Sequence, residues 1–558
     1  MKIKFNGLMK YTGIITVIYI IFIYLFSINI NPLYESGILF WVSYLFFIGL
    51  GLCIAALATF PSVMKSYVVE GKTYSYKKHK VDMGNITFKM SLGFMILPIV
   101  IYTIFSIFSS PLFWAKDYTK QLGTSVTKKF TDDVEAMDIK QLPIVDKALA
   151  YKLADKKLGE KPSLGSQVTL GEPTIQQVNK KLVWVVPLEH SGLFKWLFNS
   201  EGTPGYIIVS ATDPKDIEYV DSYKIKYQPD AFFGQDLTRK VRFGGTLFEG
   251  ITDYSFELND EGQPFWVVSV YNKTKLLALE EVVGIVVVNA STGETKRYNL
   301  DEIPSWVDRV QPRTLINAQI NNRGQYVHGV FNFSNKDKYQ TSEGSIIVYY
   351  NDNCYMFTGL TSVGSDESAT GFIMVNLKTK ESIVYQMSGA TEYSAQQSAE
   401  GKVQHLGYTA TFPLIVNVNG IPTYFMTLKD KEGLIKQYAF VSVKDYTSVG
   451  VGESIGDALL SYQQATRGSS GDIDNPTNDQ RVNITDTVDR IAIERTNQTT
   501  IYKIILKNHQ DKMFVFSYDV SNELAITREN DSVTITYFEN NAKVIDGREF
   551  NNNSYNIE

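Results

Sequence analysis

Gly452-Glu453-Ser454-Ile455-Gly456 has the spacing of a nucleophile elbow, a serine between two glycines that follows a possible strand (TSVGVG) and opens a helix-like stretch (DALLSYQQA). Acyl transfer by that serine needs a histidine base, and only His509 follows it in the chain. It also needs a parallel, doubly wound sheet, whereas the chain reads as antiparallel hairpins. The simpler chemistry of the same residues is a helix cap, with Ser454 at the N-cap and Asp457 three residues on completing a capping box. The histidines at 79, 190, 328, 405 and 509 contain no closely spaced pair, and Cys53 and Cys354 lie far apart, so no zinc set is spaced for binding. Asp472, Asp474 and Asp479 echo a calcium loop but lack its glycine at position six and its closing glutamate. Glu280-Glu281 has the residue types of an acid and base pair, yet in an acidic region it reads as surface. The expectation is a non-enzymatic chain with no metal and no cofactor.

Two other residue groups suit binding. Trp196, in GLFKWLFNS, and Trp306 stand outside the apolar strands and are candidates for a surface that takes peptide or glycan, since aromatic side chains are enriched at interfaces. Trp184 and Trp266 lead apolar strands and read as core. Lys77, Lys78 and Lys80 form a basic cluster that could hold anionic lipid headgroups, each side chain contributing about 1 kcal/mol near a charged surface. The same cluster is a topology signal.

The elements that position these groups divide sharply. Three apolar stretches, 11–30, 37–60 and 91–114, are long enough to cross a bilayer as helices. None holds Asp, Glu, Lys, Arg or His, which argues against an ion or proton pathway. Lysines stand before the first stretch and in the loop between the second and third, so those segments face the cytoplasm and the third helix carries residues 116–558 out of it. The long first stretch lacks the short core and small-residue cleavage site of a signal peptide. Gly49, Gly51, Ala55, Ala56 and Ala58 leave room for a neighbouring helix to approach closely. Residues 1–113 carry nine lysines and three acids, and the rest carries 45 basic and 56 acidic side chains. An acidic exterior repels phosphate backbones, so nucleic acid is not an expected partner. Two distant cysteines exclude a disulfide framework. Lys, Asn, Ile and Tyr richness fits an AT-rich Gram-positive or phage genome.

Past residue 116 the chain repeats itself. GYIIVSATDPK from Gly205, GIVVVNASTGE from Gly284, GFIMVNLKTKE from Gly371 and QYAFVSVKDYT from Gln437 each read as a buried strand entering a polar turn. A strand led by Trp184, Trp266, Met356 or Tyr424 precedes each one, and helix-like stretches stand before at least three of the pairs. The expected class is therefore α+β: three N-terminal transmembrane helices, then repeated units of a helix and an antiparallel hairpin at 116–225, 226–305, 306–388 and 389–466. A turn-rich linker at 467–480 follows, and short alternating strands over 481–558 suggest a small β-barrel of SH3 or OB kind.

The units at Val145–Val220 and Phe256–Leu300 resemble the PepSY family of small extracytoplasmic modules, the second through Trp266, Gly284, Thr292, Gly293 and Glu294. The later units lack the lead tryptophan and the T-G-E turn. What the resemblance implies is a binding or protease-modulating module. The chain is thus expected to be a multi-pass membrane protein that acts as an extracytoplasmic scaffold or binding protein on envelope proteins. A protease regulator, an accessory subunit of a secretion or conjugation complex and a hydrolase using Ser454 are the alternatives.

Overall fold

The computed structural model describes residues 2–57, 62–69, 72–79, 85–350, 352–364, 368–468, 481–495, 500–538, 544–547 and 549–555. Contacts divide these into a large unit, residues 1–459, and a C-terminal unit, residues 460–558.

Three helices are long and apolar enough to cross a membrane: α1 (Lys2–Phe26), α2 (Glu35–Leu57) and α3 (Ile86–Phe108). Each lies a few residues earlier than hydropathy places it, and in α3 small polar residues set both ends. Asn85 caps α3, its side-chain oxygen accepting from the Thr87 and Phe88 amides at 3.0 and 3.2 Å. The helix then breaks at Ser109-Ser110, where Ser110 caps a second helix, α4 (Pro111–Lys120), so Trp114 belongs to α4 rather than to the span. The small face of α2 is filled internally. A Cβ on Gly49 would meet the Ser91 carbonyl oxygen of α3 at 2.8 Å, and one on Gly51 would meet the Tyr11 ring of α1 at 2.3 Å. The basic segment between α2 and α3 holds an antiparallel strand pair, Ser62–Val69 with Lys72–His79.

Four sheets follow, each built on an antiparallel meander, and the third adds Ser125–Lys128 as a parallel edge strand beside Ser382–Ala390. Their central strand pairs are Lys181–His190 with Thr203–Ser210, Pro264–Lys275 with Ala278–Asn289, Asn353–Ser362 with Ser368–Asn376, and Ile421–Lys429 with Ile435–Ser442. The register is the same in all four: Trp184 lies opposite Val209, Trp266 opposite Val288, Met356 opposite Val375, and Tyr424 opposite Val441. The next residue turns the chain with its own side chain. Asn289 Oδ1 accepts from the Ser291 and Thr292 amides, and Asn376 Oδ1 from those of Lys378 and Thr379, all within 3.0 Å. Ser210 and Ser442 do the same at 3.2–3.3 Å.

One residue further, the carbonyl hooks the segment that enters the unit. Ala211 O accepts from Ile144 and Val145, Ala290 O from Lys226 and Tyr227, Leu377 O from Val310 and Gln311, and Val443 O from Ala390. A helix follows each hook, at Lys147–Gly159, Leu237–Phe243, Arg313–Gln325 and Glu392–Lys402. Where the lead residue has a polar handle it seals the same junction: Trp184 Nε1 donates to Val145 O, Trp266 Nε1 to Tyr227 O, and the Tyr424 hydroxyl to Ala390 O, at 2.7–2.9 Å. The four sheets pack on one another, and Lys429 of the last pairs with Asp146 at the first unit's helix cap, 2.5 Å away.

In the C-terminal unit the strand Arg481–Arg495 pairs with Ser532–Phe538 over its first half and with Thr500–Leu506 over its second. The sheet therefore folds across its own core of Val488, Ile504, Phe514, Phe516 and Ile535. The order is open: among the described residues no pairing joins Val544–Asp546 to Glu549–Asn552, so the expected barrel is a six-stranded sheet that is not closed. The expected linker falls almost wholly on residues 469–480, outside the described residues.

Candidate functional site

The second sheet is seated on the membrane helices, and this seat defines a cleft. Arg239 donates from Nε to the Tyr24 carbonyl and from a terminal nitrogen to the Leu25 carbonyl, both at 2.8 Å, at the last turn of α1. Arg242 donates to Ser27 O at 3.2 Å and to Glu249 O at 2.5 Å. The α1–α2 turn answers with Asn29 to Glu249 O and Asn31 to Phe248 O, each 2.8 Å, and with the Tyr34 hydroxyl to Tyr271 O at 2.9 Å. Carbonyls at helix C-termini carry partial negative charge, so a guanidinium there is well placed. At α3 the Leu277 amide donates to Ser109 Oγ at 3.0 Å, and Lys275 pairs with Asp117 of α4 at 2.9 Å.

Beside this seat lies a cleft of about 460 Å³ walled by His190, Asp230, Phe232, Phe233, Asp236 and Arg239. His190 ends the strand Lys181–His190 and is 1% exposed. Its amide donates to Gln228 Oε1 at 2.7 Å, while neither ring nitrogen has a hydrogen-bond partner. Burial pushes the imidazole's pKa down, against the opposing pull of Asp230, so the neutral ring is favoured. Next door, Glu189 is held up at about 7 by burial and by the charges of Asp230 and Glu172. Asp236 caps the Leu237–Phe243 helix through the Arg239 amide, and burial raises its pKa. Arg239 itself is committed to carbonyls, including that of Phe233. The ring nitrogens of His190 are shut off from solvent, so what the cleft presents is exposed Asp230 and two phenyl rings, a set that suits a primary ammonium group through charge, hydrogen bonding and ring faces.

Trp196 backs this cleft. Its ring lies 5.6 Å from Phe232 and 5.8 Å from Phe233, and its Nε1 donates to Gln235 Oε1 at 2.6 Å. Trp306 is elsewhere, tilted on Phe265 at 5.0 Å over the second sheet's outer core. The two are not brought together. Lys77 and Lys78 lie in the Lys72–His79 strand, but their side chains, and Lys80 altogether, fall outside the described residues. Asp472, Asp474 and Asp479 do as well. Ser454 is an exposed cap, its hydroxyl donating to Asp457 Oδ2 at 2.7 Å and accepting from the Asp457 amide at 3.1 Å. Glu280 and Glu281 are ion-paired with Lys273 and Lys380. Among the described residues no group of three His, Cys, Asp or Glu side chains is placed to hold a metal.

Sequence reasoning passed over His190 as an isolated histidine. The available signal was a titratable pair, Glu189-His190, closing an apolar strand, with the turn former Pro229-Asp230 some forty residues on.

No family model and no curated protein matches the chain. Among solved structures it is similar to an ACO/RPE65 chimera, at 10% identity and a TM-score of 0.14, over 50% of this chain and 48% of that one. A Synechocystis apocarotenoid oxygenase (ACO) mutant is similar at 10% identity and a TM-score of 0.13, over 50% and 49%. The chain spans about half the length of these structures. These neighbours bear the names of enzymes, contrary to the expectation of a non-enzymatic chain, and that expectation is not carried forward. At such TM-scores the likeness carries no argument for a fold or a reaction.

Proposed function

We propose that the chain is a membrane-anchored binding protein that presents residues 116–558 outside the cytoplasm and acts through contacts with other envelope proteins, taking a lysine or N-terminal amine of its partner in the His190 cleft. One observation carries the reading: exposed Asp230 stands in the wall of an open cleft beside the Phe232 and Phe233 rings, an anion with ring faces that a primary ammonium group satisfies. The lysine distribution supports the sidedness. The resemblance to PepSY modules supports a second reading, that the partner is an envelope protease under regulation, and the shared hook at the entry to every unit favours reading the four units as one repeated module.

Photo-crosslinking in intact cells tests this. A benzoyl-phenylalanine in place of Phe232 gives a discrete protein adduct, and Asp230→Asn, an exposed change, reduces it at least about tenfold, as loss of a charged hydrogen-bond partner does. No adduct, or one indifferent to Asp230→Asn, overturns the reading. Protease added to intact cells cuts within residues 116–558, and protection there overturns the sidedness.

A further inference from the structure

The helix Leu193–Phe198, sequence LFKWLF, is apolar at five of six positions and turns most of them to solvent. Phe194 and Phe198 are 74% and 84% exposed, and Leu193 and Leu197 are also exposed. Six residues cannot form a stripe hidden in a core while showing this much surface, and contiguous exposed apolar groups on a folded protein mark an interaction face. The helix's one charge does not interrupt that face, because Lys195 Nζ donates back to the Ser166 carbonyl at 2.8 Å.

Position identifies what covers it. Trp196 of this helix lies 5.8 Å from the Phe233 ring, and the Phe233 carbonyl shares the Arg239 guanidinium with the Tyr24 and Leu25 carbonyls at the end of α1. The same α1 end meets Phe243, 5.7 Å from the Tyr24 ring, and the Phe248 carbonyl through Asn31. Phe233, Phe243 and Phe248 are themselves exposed. The last turn of a spanning helix stands at the headgroup level, where aromatic side chains concentrate in membrane proteins.

We propose that Leu193–Phe198, with Phe233 beside it, inserts its apolar side chains into the leaflet at the end of α1 and gives the first sheet its own hold on the bilayer. The partner is lipid, recognised by apolar and aromatic insertion at the interface, as in short monotopic contacts. This adds a membrane contact outside the three spans and does not depend on what the His190 cleft takes. It places the cleft mouth, which Phe233 shares, at headgroup level.

Full-length protein in nanodiscs of phosphatidylglycerol and phosphatidylethanolamine tests it, with a nitroxide on Phe198→Cys in a Cys53→Ser background; Cys354 is buried and left in place. The readout is collision with oxygen relative to a water-soluble nickel reagent. Ile18→Cys, within α1, marks lipid, and Tyr446→Cys, exposed on the fourth sheet's turn, marks water. The expected ratio at Phe198 is about fivefold or more above that at Tyr446 and close to that at Ile18. Phe194→Cys, on the same helix, gives the same result. A lipid-like Ile18 with a water-like Phe198 and Phe194 overturns the proposal, including the case in which a protein partner absent from the nanodisc covers the face. A water-like Ile18 overturns it together with the anchor.

Discussion

The first and fourth hairpins share a register but differ at the third residue of the inner strand. Trp184 lies opposite Val209 and Tyr424 opposite Val441, yet four residues before the valine stands Gly205 in one and Gln437 in the other. At Gly205 the backbone is left-handed, with φ +79°, and a Cβ would lie 1.8 Å from the Val220 carbonyl oxygen, because the outer strand continues past it through a bulge. In the fourth sheet the outer strand stops opposite Tyr438, so no third strand pairs beside Gln437, whose carboxamide oxygen is left buried and unpartnered. Register therefore comes from the buried run and its turn, and glycine is demanded only where a third strand closes over the entry. Gly205→Ala is expected to cost about 4 kcal/mol, strain and clash together, and Gln437→Ala within about 0.5 kcal/mol of nothing. Urea unfolding of the full chain in detergent reads both. Equal costs would break the comparison.

The same hairpins bury opposite charges at one position. Five residues after the lead residue, the first has Glu189, beside Asp230 and Glu172, and the fourth has Lys429, paired with Asp146. Glu189 sits at about 7 in the fold against an ordinary 4.5. The folded state thus holds a proton that the unfolded state releases, and stability falls as pH rises from about 4.5 to about 7. Glu189→Gln is expected to stabilise the protein by about 3 kcal/mol at pH 8 and by nothing measurable at pH 4. Lys429→Gln is expected to lose about 1–2 kcal/mol, since its half-exposed partner is partly rescued by water. Melting curves at the two pH values check the sign, and stabilisation by Glu189→Gln at pH 4 would contradict it.

Much of this frame is legible in the sequence for physical reasons. Twenty uncharged residues in a row leave a helix few alternatives in lipid, so the three spans stand out. The ends of the third are set by Asn85 and by Ser109-Ser110, whose polarity barely alters an apolar window, which is why hydropathy displaces it. Ser or Asn after a buried run announces each turn because its oxygen can bond the amides ahead. The strand pair at Ser62–Val69 and Lys72–His79 was hidden by its lysines, which read as loop. His190 was hidden differently: its burial is made by the Pro229–Phe233 segment folding back about forty residues later, a tertiary fact with no local pattern. Trp196 was legible as an interfacial aromatic from its loop-like surroundings, but not its stacking on Phe232 and Phe233.

The lead residues sharpen the comparison further. Trp266 Nε1 and the Tyr424 hydroxyl perform one task, donating to the carbonyl at the unit's entry, but only the tryptophan also fills the space between Phe256 and its neighbours. Trp266→Phe loses both bond and volume and is expected to cost about 2–3 kcal/mol. Tyr424→Phe loses the bond alone, about 1 kcal/mol. If the two costs coincide, packing around Trp266 is not tight.

The smallest expected effect concerns the turn. Asn289 accepts from two amides at 3.0 and 2.9 Å, whereas Ser442 accepts from the Asp445 amide at 3.3 Å, a long bond with a shorter side chain. Asn289→Ala is expected to cost about 1 kcal/mol and Ser442→Ala a few tenths, with Ser210→Ala between them because Ser210 accepts two bonds at 3.3 and 3.2 Å. Hydrogen exchange at the turn amides reads these more finely than melting does. The Ser291 and Thr292 amides should lose protection in Asn289→Ala, while strand amides such as that of Val288 keep it. If strand protection falls with the turn, the side-chain turn sets the hairpin's register as well as closing it, and the first and fourth hairpins owe their common register to the serine they share rather than to the buried run.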